Sequence, residues 1–384
     1  MACEWHSAPL GELISYIGKG VAPKYINDGP DATMVLGQKC VRNQALQYEQ
    51  ARFHNSAEKA VNPDKEVRKG DILVNATGVG SAGRVAQVMA DPSRQCITDG
   101  HVITLRAKDI NPFYLGYFVK SKQNTIELMA EGSTGQTEMN RQRLQNEIIV
   151  TFPESKDLQK RIAEYGLAID KKIAVNNQLN DYLADFASTV FQNQASHIEE
   201  RIALFDIADI KYGKGLAKNE LVEDGYPVFG GNGQIGFYSK YLYEEPQILI
   251  SCRGAASGKV LVSLPKSFIT SNSLIIELKD RRYYEYLKQY FMLHQLYDYA
   301  TGSAQPQITI DGLRHLTVPY PPFDLIKTLT NQLKAISDCI YSNDIENQAL
   351  SRLRDTLLPK LMSGEIDVSK VDLTQLTNNH LTVR

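Results

Sequence analysis

The sequence is built as an internal repeat, in which a mixed globular stretch and a long polar-apolar segment each occur twice. Residues 16–20 (YIGKG) return as 211–215 (KYGKG), and residues 70–78 return as 246–254. The order of the matched segments is the same in both copies. Self-similarity of this kind marks a repeated structural unit. The chain is therefore predicted to contain two related globular units, each followed by a helix.

Each helical segment shows a heptad-like pattern. Between residues 157 and 194 there is no proline and one glycine, and the second copy begins at residue 324. Apolar or large residues recur at spacings of three and four, which is typical of a helix-helix seam. The predicted seam positions are Ile162, Tyr165, Ile169, Leu179, Leu183, Phe186 and Val190 in the first copy and Leu329, Gln332, Ile336, Cys339, Leu350, Leu353 and Leu357 in the second, with Pro359 expected to interrupt that helix.

Both predicted seams carry an asparagine near their midpoint, Asn176 and Asn343. A seam asparagine lowers stability but specifies register, because its amide needs a matching polar partner. We therefore expect an antiparallel helix pair with pseudo-twofold symmetry that brings Asn176 close to Asn343. The alternative is that each helix packs only on its own globular unit.

Composition limits the class of protein. A length of 384 residues with 43% apolar and 22% charged residues suits two or three globular domains. No apolar run is long enough to span a membrane and no export signal is evident, so we expect a cytoplasmic protein without a membrane partner. The net charge of -2 gives no overall basic balance, so any nucleic-acid surface must be a local patch.

Metal and disulfide chemistry are not expected. The five cysteines include no C-x-x-C pair, and the seven histidines show no H-E-x-x-H spacing. We therefore predict free thiols and no metal site.

The carboxyl-terminal sequence 353–366 (LRDTLLPKLMSGEI) resembles the distal conserved helix of type I restriction-modification specificity subunits. Residues 226–233 (YPVFGGNG) resemble a common opening of their target-recognition domains. The resemblance covers nearly the whole chain, since two recognition units with Gly-Ser loops alternate with two helices. One departure is the end of the first helix, where residues 191–194 read FQNQ.

This resemblance implies a mixed α/β fold with two tandem target-recognition domains, twisted mixed sheets and two long helices in an antiparallel coiled coil. The predicted segments are a first recognition domain (1–155), a first spacer helix (156–196), a second recognition domain (197–321), a second spacer helix (322–366) and a tail (367–384).

The resemblance also implies a non-catalytic DNA reader that binds a bipartite duplex target, with one half-site per recognition domain. Such a subunit docks two methyltransferase subunits, which bind S-adenosylmethionine and modify a flipped adenine. Two restriction subunits with an ATP- and Mg-dependent motor can join the complex. The chain itself is expected to bind no cofactor. The helices are expected to set the unread gap between half-sites.

Two alternatives from other classes remain open. The G-x-G-x-x-G stretches at 78–83 and 231–236 could belong to an autonomous methyltransferase or nucleotide-binding enzyme, but strand-like sequence follows both, which favours β-turns. Residues 229–233 mimic a methyl-donor loop, yet no complete [N/D]-P-P-[Y/F] element is present, and residues 111–113 (NPF) come closest. The second alternative is a coiled-coil assembly scaffold.

Polar residues in corresponding loops are the candidate DNA contacts. Arginine, asparagine and glutamine can pair with base edges, whereas lysine and hydroxyls more often hold phosphate. The tyrosines at 283, 284, 286 and 290 are predicted to pack in the core instead of stacking on bases. The predicted contacts are Lys19, Lys24, Asn75, Thr77, Arg84, Ser133, Thr134, Gln136, Asn140 and Arg141 in the first unit and Lys214, Lys218, Asn232, Arg253, Lys259, Ser303, Gln305 and Gln307 in the second.

Overall fold

The structure is a computed structural model that describes residues 4–131, 138–195, 198–302, 305–368 and 371. The chain forms two compact units. Unit 1 comprises Met1–Val175 with Glu346–Arg384, and unit 2 comprises Asn176–Ile345. The units therefore cut across the linear segments expected from the sequence, because each long helix contributes one half to each unit. The linear boundaries remain a prediction.

Unit 1 is mainly β-structure packed around two clusters of buried apolar residues. A four-stranded antiparallel sheet has the order β2-β11-β8-β9, and a four-stranded mixed sheet has the order β10-β4-β7-β3 with β10 parallel to β4. Three two-stranded ladders pair β1 with β14, β5 with β6 and β12 with β13. The strands are β1 (Trp5–Pro9), β2 (Ile14–Lys19), β3 (Tyr25–Ile26), β4 (Ala32–Leu36), β5 (Val41–Arg42), β6 (Ala45–Leu46), β7 (Arg52–Asn55), β8 (Ile72–Asn75), β9 (Val85–Gln87), β10 (Cys96–Thr98), β11 (Val102–Ala107), β12 (Ala130–Glu131), β13 (Glu138–Met139) and β14 (Ile149–Pro153).

The short α-helices described in unit 1 are α1 (Pro112–Ser121), which packs on β9 and β11, α2 (Gln123–Leu128) and α3 (Arg141–Glu147). Asn111 caps α1 by accepting from the backbone N–H groups of Phe113 and Tyr114, which satisfies donors that the first helical turn leaves free. The long helix α4 (Lys156–Ala195) follows, and short 3-10 helices occur at Leu10–Leu13, Gln38–Cys40, Tyr48–Gln50 and Pro63–Lys65.

Unit 2 repeats this plan with a four-stranded antiparallel sheet β16-β22-β19-β20 and a three-stranded sheet β18-β17-β21, in which β17 and β21 are parallel. A ladder pairs β15 with β23. The elements are β15 (Arg201–Ala203), α5 (Leu204–Ile207), β16 (Ala208–Tyr212), β17 (Tyr226–Gly230), β18 (Gly233–Tyr238), β19 (Ile248–Ser251), β20 (Val260–Val262), β21 (Phe268–Ile269), β22 (Ser273–Leu278), α6 (Tyr284–Leu293), β23 (Thr317–Pro319) and α7 (Phe323–Met362), with 3-10 helices at Lys218–Glu220, Gly254–Ala256, Arg281–Tyr283, Tyr297–Tyr299 and Asp311–Leu313.

The predicted internal repeat is confirmed, but its register near the start was wrong by two residues. The Gly20 N–H donates to Val102 O at 3.1 Å, and in unit 2 the Gly213 N–H makes the same bond to Ser273 O at 3.0 Å. Gly20 therefore corresponds to Gly213, and not to Gly215.

The halves of α4 and α7 pair antiparallel within unit 1. The Arg354 Nη1 donates to Asp170 Oδ1 at 2.7 Å, and the Lys172 Nζ lies 3.1 Å from Glu346 Oε2. Residues later in α4 thus meet residues earlier in α7, as an antiparallel pair requires.

In unit 2 the asparagine contact differs in detail from the prediction. The Asn343 Nδ2 donates to Asn180 Oδ1 at 2.7 Å, and the Asn180 Nδ2 donates to Asp344 Oδ1 at 2.9 Å. Asn176 is buried and also makes a polar interaction. Sequence reasoning did not single out Asn180, which lies one helical turn after Asn176 on the same face.

Four predicted seam positions were wrong. Leu179, Phe186, Gln332 and Cys339 are exposed, whereas Ala187, Phe191 and Leu333, which were not predicted, are buried in the unit 2 core together with the predicted Ile336. An α-helix has 3.6 residues per turn, so positions seven residues apart do not line up on the same face. The buried face therefore shifts gradually around the helix, and a strict seven-residue pattern assigns wrong positions after a few turns.

The expectation that Pro359 interrupts the second helix was also wrong. Helix α7 continues through Pro359 to Met362. In the last turn, Leu358, Leu361 and Met362 are buried in the core of unit 1. The motif at residues 353–366 therefore contributes to the core of unit 1, which also contains residues from the amino-terminal part of the sequence.

The fold class predicted from the sequence is confirmed: two tandem units of mixed α/β structure with a long helix between their globular parts. Among the strands that the structure describes, β4 with β10 in unit 1 and β17 with β21 in unit 2 pair in parallel, and the other pairings are antiparallel.

Candidate nucleic-acid interface

Each unit presents a β-hairpin corner at the end of its central strand. We define the corner as residues 76–84 between β8 and β9 in unit 1 and residues 252–259 between β19 and β20 in unit 2. Glycines Gly83 and Gly258 have φ angles of 86° and 95°. A Cβ at these positions would lie 2.6 Å from the Glu127 Cα and 2.5 Å from the Tyr297 Cα, respectively. Close backbone packing therefore requires a residue without a Cβ at both of these positions.

A second chain segment pairs with each corner in the same way. Thr77 forms an isolated antiparallel bridge with Glu138, and Arg253 forms the corresponding bridge with Gln307. The next residues repeat the match, because the Met139 N–H donates to Ala76 O and the Ile308 N–H donates to Cys252 O. Equivalent backbone positions in the two units thus carry different side chains.

In unit 1 several predicted contacts converge on Glu138, which the sequence analysis missed. The Lys19 Nζ donates a hydrogen bond to Glu138 Oε1, and this bond lowers the pKa of the Glu138 carboxyl group. The charge of Arg141 acts in the same direction. Glu138 lies outside the segments that were matched between the repeats, and the bridges in the structure identify it as the counterpart of Gln307.

Thr77 is held from two sides. The Gln38 Nε2 donates to Thr77 O at 2.7 Å, and the Thr77 hydroxyl lies 2.9 Å from the His101 Nδ1. Polar groups of three loops therefore surround this corner. Gln38 and His101 were also missed from the sequence, because neither lies in a segment that was matched between the repeats.

Other predicted contacts hold the loops themselves. Asn75 has no exposed surface, and its Nδ2 donates to Gln38 O at 3.2 Å. The Arg84 Nη2 donates to Gly80 O at 2.6 Å, and the Lys259 Nζ at the equivalent position donates to Asn232 Oδ1 at 2.9 Å. The structure thus gives these side chains a local structural role.

Two predicted residues of unit 1 lie outside this cluster of contacts. Lys24 is exposed, and its Nζ lies 3.5 Å from Glu58 Oε1. The Asn140 side chain caps α3 by accepting from the N–H groups of Gln142 and Arg143. A polar side chain in a loop therefore often hydrogen-bonds to nearby backbone groups.

In unit 2, Arg253 and Gln307 are exposed beside one another on the bridged strands, and Gln305 is exposed close by in the sequence. Lys214 is exposed next to its backbone bridge to Thr270, and Lys218 is exposed in a short helix. The remaining predicted contacts, Ser133, Thr134, Gln136 and Ser303, lie outside the described residues.

The interpretation of both glycine-rich stretches as turns is confirmed. Residues 78–83 connect antiparallel β8 and β9, and residues 231–236 run from the turn after β17 into antiparallel β18. Neither stretch opens a helix, as a dinucleotide site requires. The predicted core role of the tyrosine cluster is also confirmed, because Tyr283, Tyr284 and Tyr286 are buried.

Among the described residues, one group could supply several metal ligands. Donor atoms of Glu4, His6 and Glu154 lie within 4.8 Å of one another. Exposed acidic groups are common in proteins without an ion, so this group alone does not define a metal site. In the described part of the chain, no helix combines the length and the apolar character that a bilayer crossing requires.

Comparison with known proteins defines the class. The family model described as "Type I restriction modification DNA specificity domain" matches residues 4–184 and 200–353. The chain therefore belongs to this family and carries its domain twice. The predicted relationship to type I restriction-modification specificity subunits is confirmed.

Particular relatives agree with this assignment. The chain is 24% identical over 139 residues to the type I restriction enzyme MjaIX specificity subunit of Methanocaldococcus jannaschii, covering 35% of this chain and 32% of that protein. It is 23% identical over 294 residues to the putative MjaX specificity subunit of the same organism, covering 67% and 69%. Its match to the first of these relatives thus spans about a third of that relative's length.

One solved structure shares the fold. The S subunit of the type I restriction-modification system from M. genitalium superposes with a TM-score of 0.52 at 20% identity, covering 94% of this chain and 96% of that chain. This similarity supports the two-unit fold described above.

Proposed function

We propose that this chain is a non-catalytic specificity subunit that binds bipartite duplex DNA, with one half-site read by each unit. The observation that carries the proposal is the pair of hairpin corners with their bridged segments, which make corresponding backbone contacts but carry different side chains at the bridged positions. Identical placement of different hydrogen-bonding groups is what two related readers of different base sequences need.

Charge in these regions supports DNA binding without a basic chain overall. In unit 1, the positive charges of Lys19 and Arg141 both lower the pKa of Glu138. In unit 2, Arg253 is exposed on the same corner that carries Lys259. The net charge of the whole chain is only -2. Lysines suit phosphate contacts, whereas arginine and glutamine can form paired hydrogen bonds with base edges.

We further propose that the chain acts through partner subunits. Two methyltransferase subunits bind S-adenosylmethionine and methylate adenine, and up to two restriction subunits supply an ATP- and Mg-dependent motor. An exposed apolar stripe on α4, made of Leu179, Tyr182 and Phe186, is a suitable docking surface for the methyltransferase subunits. Single exposed apolar residues are common, but a stripe at helical spacing indicates a binding face. The complex works in the cytoplasm, where its DNA target lies.

The two long helices set the unread gap between the half-sites in this proposal. Each helix has 40 residues, which corresponds to about 60 Å at 1.5 Å per residue. Rigid helices of fixed length favour a fixed number of base pairs between half-sites.

Methylome sequencing of cells that express the chain with its methyltransferase partner tests the proposal. The expected result is a methylated motif split into two short parts by a gap of constant length. A control strain with the methyltransferase alone should show no such motif. A contiguous motif, or the same motif without this chain, would contradict the proposed role.

The isolated chain also distinguishes this function from an autonomous methyltransferase. We expect no stoichiometric binding of S-adenosylmethionine in calorimetry, because both glycine-rich stretches form β-hairpins and not cofactor loops. Binding at one molecule per chain would favour the enzyme alternative.

A further inference from the structure

Each corner is bridged to a second segment, and the bridged pairs, Thr77/Glu138 and Arg253/Gln307, carry different side chains in the two units. Both pairs are antiparallel bridges, and equivalent backbone hydrogen bonds lie next to them, from Met139 N–H to Ala76 O and from Ile308 N–H to Cys252 O. In unit 1 the pair offers a hydroxyl and a carboxylate, and in unit 2 it offers a guanidinium and an amide. The backbone positions are equivalent. If both units bind DNA in the same way, the part of the duplex that contacts Gln307 in unit 2 therefore corresponds to the part that contacts Glu138 in unit 1.

Glu138 is available for such a contact. Its side chain is 60% exposed, although Lys19 is hydrogen-bonded to it. That hydrogen bond favours the ionised form, so the carboxylate accepts hydrogen bonds and donates none. Only one of its oxygens is used by Lys19, which leaves acceptor capacity for a ligand.

A carboxylate on a DNA-binding surface is repelled by phosphates and cannot hydrogen-bond to the acceptor atoms of guanine. The amine of cytosine at N4 is the base-edge donor that glutamate accepts from. Adenine also carries an amine, but its neighbouring N7 acceptor faces the same side chain and disfavours a carboxylate. In the major groove, where guanine presents only acceptors, this chemistry selects cytosine among the four bases.

We propose that Glu138 is a specificity-determining residue that accepts a hydrogen bond from a cytosine amine in the half-site read by unit 1. Lys19 positions the carboxylate and offsets its repulsion from phosphate. Gln307 is the corresponding reader in unit 2, where an amide can pair with adenine through N6 and N7. This inference rests on the proposed DNA-reading function and adds the residue and base class to it.

The test compares Glu138→Gln with the wild-type chain in the complete complex with its methyltransferase subunits. Selection from a randomised duplex library gives the base preference at every position. The amide of glutamine both donates and accepts, so we expect one cytosine of one half-site to become replaceable by adenine. Discrimination at that position should fall by about tenfold to a hundredfold, while the other half-site stays unchanged.

Gln307→Glu is the matched variant in unit 2. It places a carboxylate at the equivalent backbone position, so we expect the opposite change, a gain of cytosine preference, in the other half-site only. Lys19→Met should weaken binding to all sequences and leave the order of base preference at the remaining positions unchanged. Glu138 and Gln307 are both exposed, so these changes should not alter folding, which thermal unfolding can verify.

The proposal is overturned if Glu138→Gln binds every sequence more tightly without any change in base preference, because Glu138 would then act only through its charge. It is also overturned if both half-sites change together. These outcomes differ from failure of the proposed function, in which the wild-type complex itself would select no bipartite sequence.

Discussion

At the scale of single residues, a buried polar cluster fixes the recognition part of unit 1 to its helices. Asp170 on α4 accepts hydrogen bonds from the Tyr117 hydroxyl and the Arg354 Nη1, both at 2.7 Å. The Lys120 Nζ lies 3.6 Å from Asp170 Oδ2. Gly166 makes room for this arrangement, since a Cβ there would lie 2.5 Å from the Tyr117 ring.

Asp170→Asn should destabilise unit 1 by about 3 kcal/mol, because it removes the charge that faces the buried Lys120 ammonium and leaves Arg354 with Asp355 alone. Lys120→Met should be neutral or slightly stabilising, since it removes a buried cation and keeps the packing. The single tryptophan, Trp5, lies in unit 1, so urea unfolding followed by tryptophan fluorescence reports this unit. Equal midpoints for the wild type and Asp170→Asn would contradict the role given to the cluster.

The same cluster predicts a pH dependence. Burial lowers the pKa of Lys120 below its usual 10.5. Between the folded and unfolded pKa values the unfolded chain binds more protons, so stability rises with pH in that window. As the pH rises towards 10.5, the wild type should gain stability relative to Lys120→Met. Parallel curves for the two proteins would show that Lys120 does not titrate differently on folding.

The roles of single residues were also predicted less accurately from the sequence than the elements or the repeat. Loop residues such as Thr77, Arg253 and Gln307 could be chosen because they recur in matching segments. Glu138 was missed because it lies outside the segments that were matched, and only the bridges in the structure pair it with Gln307. Asn75 and Asn140 were chosen for their chemistry, but their hydrogen bonds serve the backbone, and only the folded chain reveals this.

At the scale of elements, α4 has two different apolar faces. Ala187 and Phe191 pack in the core of unit 2, whereas Leu179, Tyr182 and Phe186 are 41%, 63% and 58% exposed. Spacings of three and four residues place the exposed set on one side of the helix. From the sequence, Leu179 and Phe186 were assigned to the seam because their spacing fits a heptad equally well. Spacing alone cannot say which of two apolar stripes is buried.

Replacing Leu179, Tyr182 and Phe186 together by serine should weaken binding of the methyltransferase subunit by at least tenfold. The reason is the lost burial of large apolar and aromatic side chains in the complex. Calorimetry or co-purification measures the effect, and replacement of the exposed Asp181, Ala184 and Asp185 by serine is the matched control. If only the control variant loses the partner, the docking surface lies elsewhere on the helix.

At the scale of the whole molecule, the duplication predicts function more strongly than any single motif. Repeated segments were sufficient to derive two related units and two long helices, because repeats constrain topology independently of side-chain detail. They did not reveal that the carboxyl-terminal residues Leu358, Leu361 and Met362 complete the core of unit 1. That closure joins segments far apart in sequence, and no local pattern records it.

The central claim is that each unit reads its own half of a split DNA target. The most direct measurement replaces residues 197–321 by the equivalent segment of another family member and determines the methylated motif of the reconstituted complex. We predict that one half of the motif changes to that of the donor, while the other half and the gap length are retained. An unchanged motif, or a change in both halves, would contradict independent reading by the two units.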